Sequence, residues 1–459
     1  MTDAGDATAQ PSRKLAFDRS REWYARARRT APGGVHTNIR LSERPWPLFF
    51  ESGHGGRLLD VDGNELVDLV CGNGPLILGH DPPEVLAAVH RQVDRGLVYA
   101  GQSTLEVEAA ELICEHVPSA ECVRFNMTGT EAIQAAIRIA RAATGRQKLL
   151  LFQGHYDGWA DSVLWNVATP SRPLGETGLI EPRPESLGVE ARLAEDLFIA
   201  QWNDPAAVHD VLAAHGHEIA AVIMEPVMGN SAVVEPEPGY LQAVQEATRR
   251  AGALLIFDEV ITGFRVAPGG AQGRYGIVPD LSVFGKAIGA GFPIACVAGR
   301  ADIFEDVGSG RVLHAGTFNS NPVAAAAAVA ALGILTDPGR GIHALLEERG
   351  SRLMAGLRRV SREAGLPILV QGLPMLTSIS VTTADRIVDH AGAAAADHEA
   401  LRRLQLHLVE RGVRIAARGN LFLSAAHTEE DIDIVIEAFG DAAAEALAPS
   451  DATAAPVRA

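Results

Sequence analysis

Cysteine is scarce in this chain. Its four thiols, Cys71, Cys114, Cys122 and Cys296, form no CxxC pair and have no histidine-rich neighbour at metal-ligand spacing. That excludes a disulfide-stapled scaffold and a cysteine metal centre, and predicts buried, reduced thiols. Positive charge is also short: 40 Lys and Arg against 57 Asp and Glu leave a formal charge of −17. Such a field repels phosphate backbones and anionic lipid, so neither a nucleic acid nor a membrane surface is an expected partner. A local positive site can still hold one phosphate group. Long apolar runs are missing too. The longest, Val323–Leu335, is rich in alanine and falls short of the roughly 20 residues that span a bilayer. The opening MTDAGDATAQPSRK has no apolar core and does not read as a secretory signal, so a cytoplasmic location is expected.

What remains is ample for a folded enzyme. Apolar residues make up 47% of 459 positions, enough for one large and one smaller domain. Residues 1–12 and 447–459 have little to bury and are predicted to be disordered tails. Between them, continuous apolar runs alternate with helical patterns. Ala253–Asp258, Ala220–Glu225 and Lys148–Phe152 read as strands buried on both faces, which suits a parallel sheet. Glu131–Ala143, Pro238–Ala251 and Pro322–Leu335 read as helices, the last with proline in its first turn. The expected fold class is α/β, with a large domain over 75–335 built on a mostly parallel central sheet flanked by helices. A smaller α+β domain is expected over 336–446, with strand-like pieces at Pro367–Val370, Leu376–Val381 and Asn420–Ser424, joined by the N-terminal segment 13–74. The Pro- and Gly-rich stretch Asn166–Gly188 has no periodicity and reads as a possible cover for the site.

In such sheets ligands sit at the carboxyl ends of the strands, so the polar residues ending the apolar runs carry the interest. Asp258 ends ALLIFD, and a carboxylate there needs a cation, a donor or a protonated ring nitrogen. A helix cap or an ion pair would meet the same need. Lys286 lies in the almost uncharged PDLSVFGKAIGAGFPIA, where desolvation would expose a nucleophilic amine; a snorkelling lysine fits the same letters. Thr128, Gly129 and Thr130 open a helix and could present N–H groups to an anion, or simply cap it. Tyr156, in FQGHYDGW, could stack on a planar cofactor or pack at a domain edge. Thr317 precedes the Pro322 helix and offers one more hydroxyl.

Taken together and in order, VRFNMTGTEAIQAAIRIARAATGR, FQGHYDGW, IMEPV, LLIFDEVITGFR, PDLSVFGKAIGAG and HAGTFNSNP resemble the class III aminotransferases of pyridoxal-5′-phosphate (PLP) fold type I. The likeness runs from about Pro32 to Ala438. It implies a Schiff base between PLP and Lys286, and a later role for that lysine as proton shuttle. It implies that Asp258 pairs with the pyridine nitrogen, with Val260 and Tyr156 against opposite ring faces. Thr128, Gly129 and Thr130 would hold the phosphate, Glu225 would order the site, and Thr317 would reach the phosphate from the second subunit of a homodimer. The implied substrates are a small amine and a keto acid or aldehyde.

Within the family the chain is similar to the glutamate-1-semialdehyde aminomutase branch, but departs at the substrate positions. PGGVHTNIR follows that branch and puts Arg40 on an arginine suited to a carboxylate. CGNGP has Asn73 where the aminomutase has tryptophan, and AARGNLFLSAAH has Gly419 in place of an acidic residue, with Arg418 beside it. This last pattern is more similar to D-phenylglycine aminotransferase and to β-amino-acid transaminases. The expectation is therefore a ping-pong aminotransferase. Intramolecular amino transfer, another PLP reaction such as racemisation or decarboxylation, and a catalytically idle PLP-binding protein are the alternatives.

Overall fold

The computed structural model describes residues 14–169, 173 and 178–448. The whole of the expected N-terminal tail, the outer part of the expected C-terminal tail and the middle of the expected cover segment lie outside the described residues. The described part of the C-terminal tail begins with Leu447, which caps the helix Glu429–Ala446 and packs against the core.

An eight-stranded sheet forms the centre. Five adjacent strands run parallel: Leu281–Phe284, Leu254–Asp258, Ile219–Met224, Lys148–Phe152 and Leu197–Ala200. The pairings beyond them are antiparallel, with Leu179–Ile180 at one edge and Ala295–Gly299 followed by Cys122–Asn126 at the other. The sheet is thus mixed overall and parallel in its middle. All six residues of Ile219–Met224 are buried, as are four of five in Leu254–Asp258, which explains their continuous apolar character. Each buried Val, Leu or Ile side chain contributes about 1.5–3 kcal/mol.

Helices cover the sheet. Gly129–Thr144 packs its apolar stripe, with Ile133, Ile137 and Ala140 buried, across the middle strands. Pro322–Thr336 starts where Asn321 accepts the N–H of Ala324 at 3.0 Å, and its alanines pack against Pro83–Val93 and Thr104–His116. The helix expected from Pro238 starts instead at Tyr240, because Gly239 takes a left-handed turn at φ 83°. Among the described residues no single helix is long and apolar enough to cross a membrane.

Two smaller sheets complete the molecule. Ile368–Leu373, Leu376–Val381 and Asn420–Phe422 form an antiparallel trio. The N-terminal strands Phe50–His54, Arg57–Asp60 and Glu65–Asp68 form the other with Val413–Arg414, which pairs in parallel with Glu65–Asp68. Arg414 ties this sheet together through Asp68 at 3.1 Å and Glu43 at 2.8 Å. The four cysteines are free thiols; Cys71 and Cys296 are buried, and Cys114 and Cys122 are half-buried.

Candidate active site

Four of the parallel strands end at one cavity of about 380 Å³. The strand Lys148–Phe152 leads to Tyr156 and Asp157, Ile219–Met224 to Glu225, and Leu254–Asp258 ends on Asp258 itself. Leu281–Phe284 leads to Lys286. The fourth wall comes from Thr128, Gly129 and Thr130, and Val260 faces them: a Cβ added at Gly129 would lie 3.0 Å from Val260 Cγ2. Backbone geometry fixes the lysine. Lys286 holds a left-handed φ of 46° after extended Gly285, and its stem runs past Gly74, where a Cβ would stand 3.3 Å from Lys286 Cδ. Strain of this kind costs about 1–3 kcal/mol and gathers where function needs it.

Three carboxyl groups meet one amine here. Burial lowers the Lys286 amine to about 8, against the pull of Asp258 and Glu225. Burial pushes Asp258 up to about 7, and the nearby Glu225 adds to the rise, while the N–H of Val260 at 2.9 Å pulls the other way. Glu225 is raised by burial too, but receives three donors: Tyr156 N–H and Gly229 N–H at 2.8 Å, and Asn230 Nδ2 at 3.0 Å. Asp157 is almost fully buried, and its carboxyl lies beside that of Asp258, close enough for the two to share a hydrogen bond. The pocket carries more buried acid than its own cation can balance.

At the opposite wall, Thr128 caps the helix Gly129–Thr144. Its hydroxyl accepts the Glu131 N–H at 3.2 Å, and Glu131 Oε2 accepts the Thr128 N–H at 3.1 Å. The N–H groups of Gly129 and Thr130 find no acceptor among the described residues. A sixteen-residue helix therefore aims its first free donors at the cavity wall.

These features fit pyridoxal phosphate. The free N–H pair suits the phosphate, and the lowered amine suits the carbonyl carbon. The surplus of buried acid suits a protonated ring nitrogen beside Asp258. The half-exposed Tyr156 and the buried-side Val260 line the space between, where a flat ring would lie.

The structure brings together eight of the sequence-derived positions: Lys286, Asp258, Glu225, Tyr156, Val260, Thr128, Gly129 and Thr130. The other four stand elsewhere. Arg418 is exposed and donates from Nη1 to the carbonyl of Asn230 at 3.2 Å, which sets it at the cavity rim. Asn73, at φ 66°, borders a separate cavity of about 40 Å³ with Ile39 and Arg44. Arg40 is exposed on the turn Asn38–Ser42, and Thr317 is exposed ahead of the helix Pro322–Thr336. Sequence reasoning missed Asp157 and Asn230, which also line the cavity. Asp157 gave one usable signal, an acid directly after the aromatic of a strand end; Asn230 sits in a loop with no pattern.

Also unanticipated is Arg265, fully buried in the ITGFR stretch. It donates to Gly74 O at 2.5 Å, Leu423 O at 2.9 Å and Met375 O at 3.2 Å. It thereby links the loop beside Lys286 to the C-terminal strands.

Comparison with known proteins agrees with this geometry. The family model described as aminotransferase class-III matches residues 39–442. A glutamate-1-semialdehyde 2,1-aminomutase of Desulfitobacterium hafniense is 41% identical over 424 residues, covering 91% of this chain and 96% of the relative. Among solved structures, an omega-transaminase from Sphaerobacter thermophilus superposes with a TM-score of 0.87 at 34% identity, covering 93% of this chain and 97% of that one. A β-phenylalanine aminotransferase from Variovorax paradoxus gives 0.84 at 32%, covering 94% and 95%. With a mixed sheet feeding a lysine, an aspartate and a helix N-terminus into one cavity, the chain belongs to the class III aminotransferases, PLP-dependent enzymes of fold type I.

Proposed function

We propose that this enzyme is an aminotransferase that moves an amino group between an amino acid or related amine and a keto acid or aldehyde, by a ping-pong route. The observation that carries the reading is the rim of the cavity. Arg418 stands there exposed, with most of its guanidinium fork unused among the described residues, and suits a substrate carboxylate. Gly419 beside it holds φ 84°, and a Cβ there would stand 2.2 Å from the carbonyl of Ile379. The acid of the aminomutase pattern has no room on this backbone. The transaminase names of the solved relatives support the same reading.

When bound, the cofactor supplies an electrophilic carbon and an electron sink. Lys286 would hold it and, once freed by the incoming amine, would move the proton at the amine-bearing carbon. Asp258 would keep its charge against the ring nitrogen. Glu225, tied to Tyr156 and Gly229, would keep the loop of Asn230 in place. Intramolecular transfer is the second reading, and the 41% identical aminomutase favours it. Initial rates separate the two: ping-pong transfer gives parallel double-reciprocal lines and needs an added acceptor, whereas full turnover without acceptor rejects the transaminase reading.

Arg418→Ala is expected to raise KM for a carboxylate substrate by about 10- to 100-fold, the loss of a charged hydrogen-bonded pair. Simple amines should change little, and equal effects on both would remove Arg418 from recognition. Gly419→Glu is expected to destabilise the fold by at least about 2 kcal/mol, from left-handed strain before any clash is added. An unchanged melting temperature would show that this backbone accepts a side chain after all.

Assembly and location belong to the same proposal. Trp159, Leu313 and Phe318 are 73%, 69% and 54% exposed, the last two flanking Thr317 along the chain, and this is apolar surface that a second copy would cover. Thr317 and Arg40 would then act at a site shared between copies, with Asn73 on the adjoining loop. The domain division taken is 75–335 for the cofactor and 13–74 with 336–446 for the smaller unit, and the placement is cytoplasmic.

A further inference from the structure

Asp157 is the residue of this cavity that the reaction scheme leaves unused. It is 3% exposed, lies between Tyr156 and Gly158, and shares the cavity wall with Asp258. Its position is not free to drift. Gly158, at φ 109°, packs where a Cβ would stand 2.7 Å from Thr130 Oγ1, which pins this loop to the helix N-terminus. The Tyr156 N–H is held by Glu225 at 2.8 Å on the other side. Between these two anchors, the Asp157 carboxyl lies beside that of Asp258 in the cavity wall, close enough to share a hydrogen bond with it, and among the described residues its Oδ1 has no partner.

Two carboxyl groups that share a hydrogen bond must share a proton. The surroundings decide which one carries it. Asp258 receives the Val260 N–H at 2.9 Å and faces Lys286, and both favour its anion. Burial, and after it Asp258 and Glu225, push the Asp157 carboxyl well above the usual range, and among the described residues no cation pulls it back.

We infer that Asp157 is a positioning residue, a neutral acid that donates its O–H to Asp258 and keeps that carboxylate charged and oriented toward the cofactor's ring nitrogen. A donor on Asp258 makes it the weaker base, so the shared proton stays on the ring. Without the donor, Asp258 competes for that proton and the electron sink weakens. The inference rests on the reading that Asp258 pairs with the ring nitrogen.

The test uses holoenzyme reconstituted with PLP labelled with 15N at the ring. The nitrogen's chemical shift is followed against pH in the parent, Asp157→Ala and Asp157→Asn. In the parent, a protonated nitrogen through neutral pH is the condition set by the Asp258 reading. Its absence there would sink that reading independently of Asp157. In Asp157→Ala, the nitrogen is expected to lose its proton about one to two pH units lower, the size of one hydrogen bond to a charged group. In Asp157→Asn the amide can donate as the neutral acid does, so the nitrogen should titrate with the parent. An asparagine variant that shifts like the alanine variant would mean that Asp157 acts as an anion, and would overturn the inference. No shift in either variant would overturn it too. If Asp157→Ala does not fold, Asp157→Val takes its place as the variant that cannot donate, with the same shift expected.

Discussion

Lys286→Ala is expected to abolish turnover, with kcat lower by about 10⁴-fold or more, because one amine serves both as covalent anchor and as proton carrier. Among the described residues the cavity holds no second amine: its lining offers three acids, the Asn230 amide, hydroxyls and backbone groups beside this lysine. The visible absorbance of lysine-bound cofactor should disappear. Non-covalent cofactor should remain, since the donors of Gly129 and Thr130 and the charge of Asp258 are untouched. An unchanged visible spectrum would sink the lysine assignment. The pH dependence follows from the same burial. With its amine lowered to about 8 from 10.5, Lys286 is neutral, and nucleophilic, above about pH 8. Capture of PLP by cofactor-free enzyme should therefore speed up as pH rises through 8 and level off beyond it. A rate that climbs only toward pH 10 would mean an ordinary exposed lysine.

Asp258→Asn has the second largest expected effect. The amide nearly matches the carboxylate in size but cannot offset a positive ring nitrogen. Loss of one such preorganised charge costs about 10²–10³-fold in kcat. Near-normal rates would remove Asp258 from the mechanism. Stability should move in the opposite direction. In cofactor-free protein, burial lifts the Asp258 carboxyl from 3.8 to about 7. The folded state thus prefers the protonated acid, and its advantage is lost as pH rises between those values. Relative to the parent, cofactor-free Asp258→Asn should gain melting temperature as pH climbs from about 4 to 7. A constant difference across that range would mean that Asp258 is not a strained buried acid.

Much of this site was legible because burial makes ionisable residues conspicuous. Asp258 closes a run in which every neighbour is apolar, and Lys286 lies in a stretch almost without charge. Both anomalies need a chemical reason. The strand at Lys148–Phe152 matches its expected bounds because continuous apolarity marks a doubly buried strand; Leu376–Val381 matches too, although Thr377, Ser378 and Ser380 interrupt its apolar run and all six of its residues are buried. Other features depend on distant chain segments and leave no local trace. Val413–Arg414 is only two residues long and is a strand because Glu65–Asp68 lies beside it. The same holds for Arg265: its three carbonyl partners come from Gly74, Met375 and Leu423, and nothing in ITGFR announces them. The Asp157 carboxyl is pushed up by its burial and by Asp258, about a hundred positions away along the sequence. Arg40, Asn73 and Thr317 stand outside this cavity, and no local pattern in the sequence separates them from the residues that line it.

Amino transfer to a separate acceptor leaves its mark on the stoichiometry of a single turnover. Purified holoenzyme would be mixed with one candidate amine at a time, drawn from L- and D-amino acids, β-amino acids and glutamate semialdehyde, with no keto acid present. The account predicts one equivalent of carbonyl product per site, with the cofactor left in its amine form until an acceptor is added. Product well beyond one equivalent, with the starting spectrum restored and no acceptor present, would contradict it and point to a self-contained isomerase or decarboxylase.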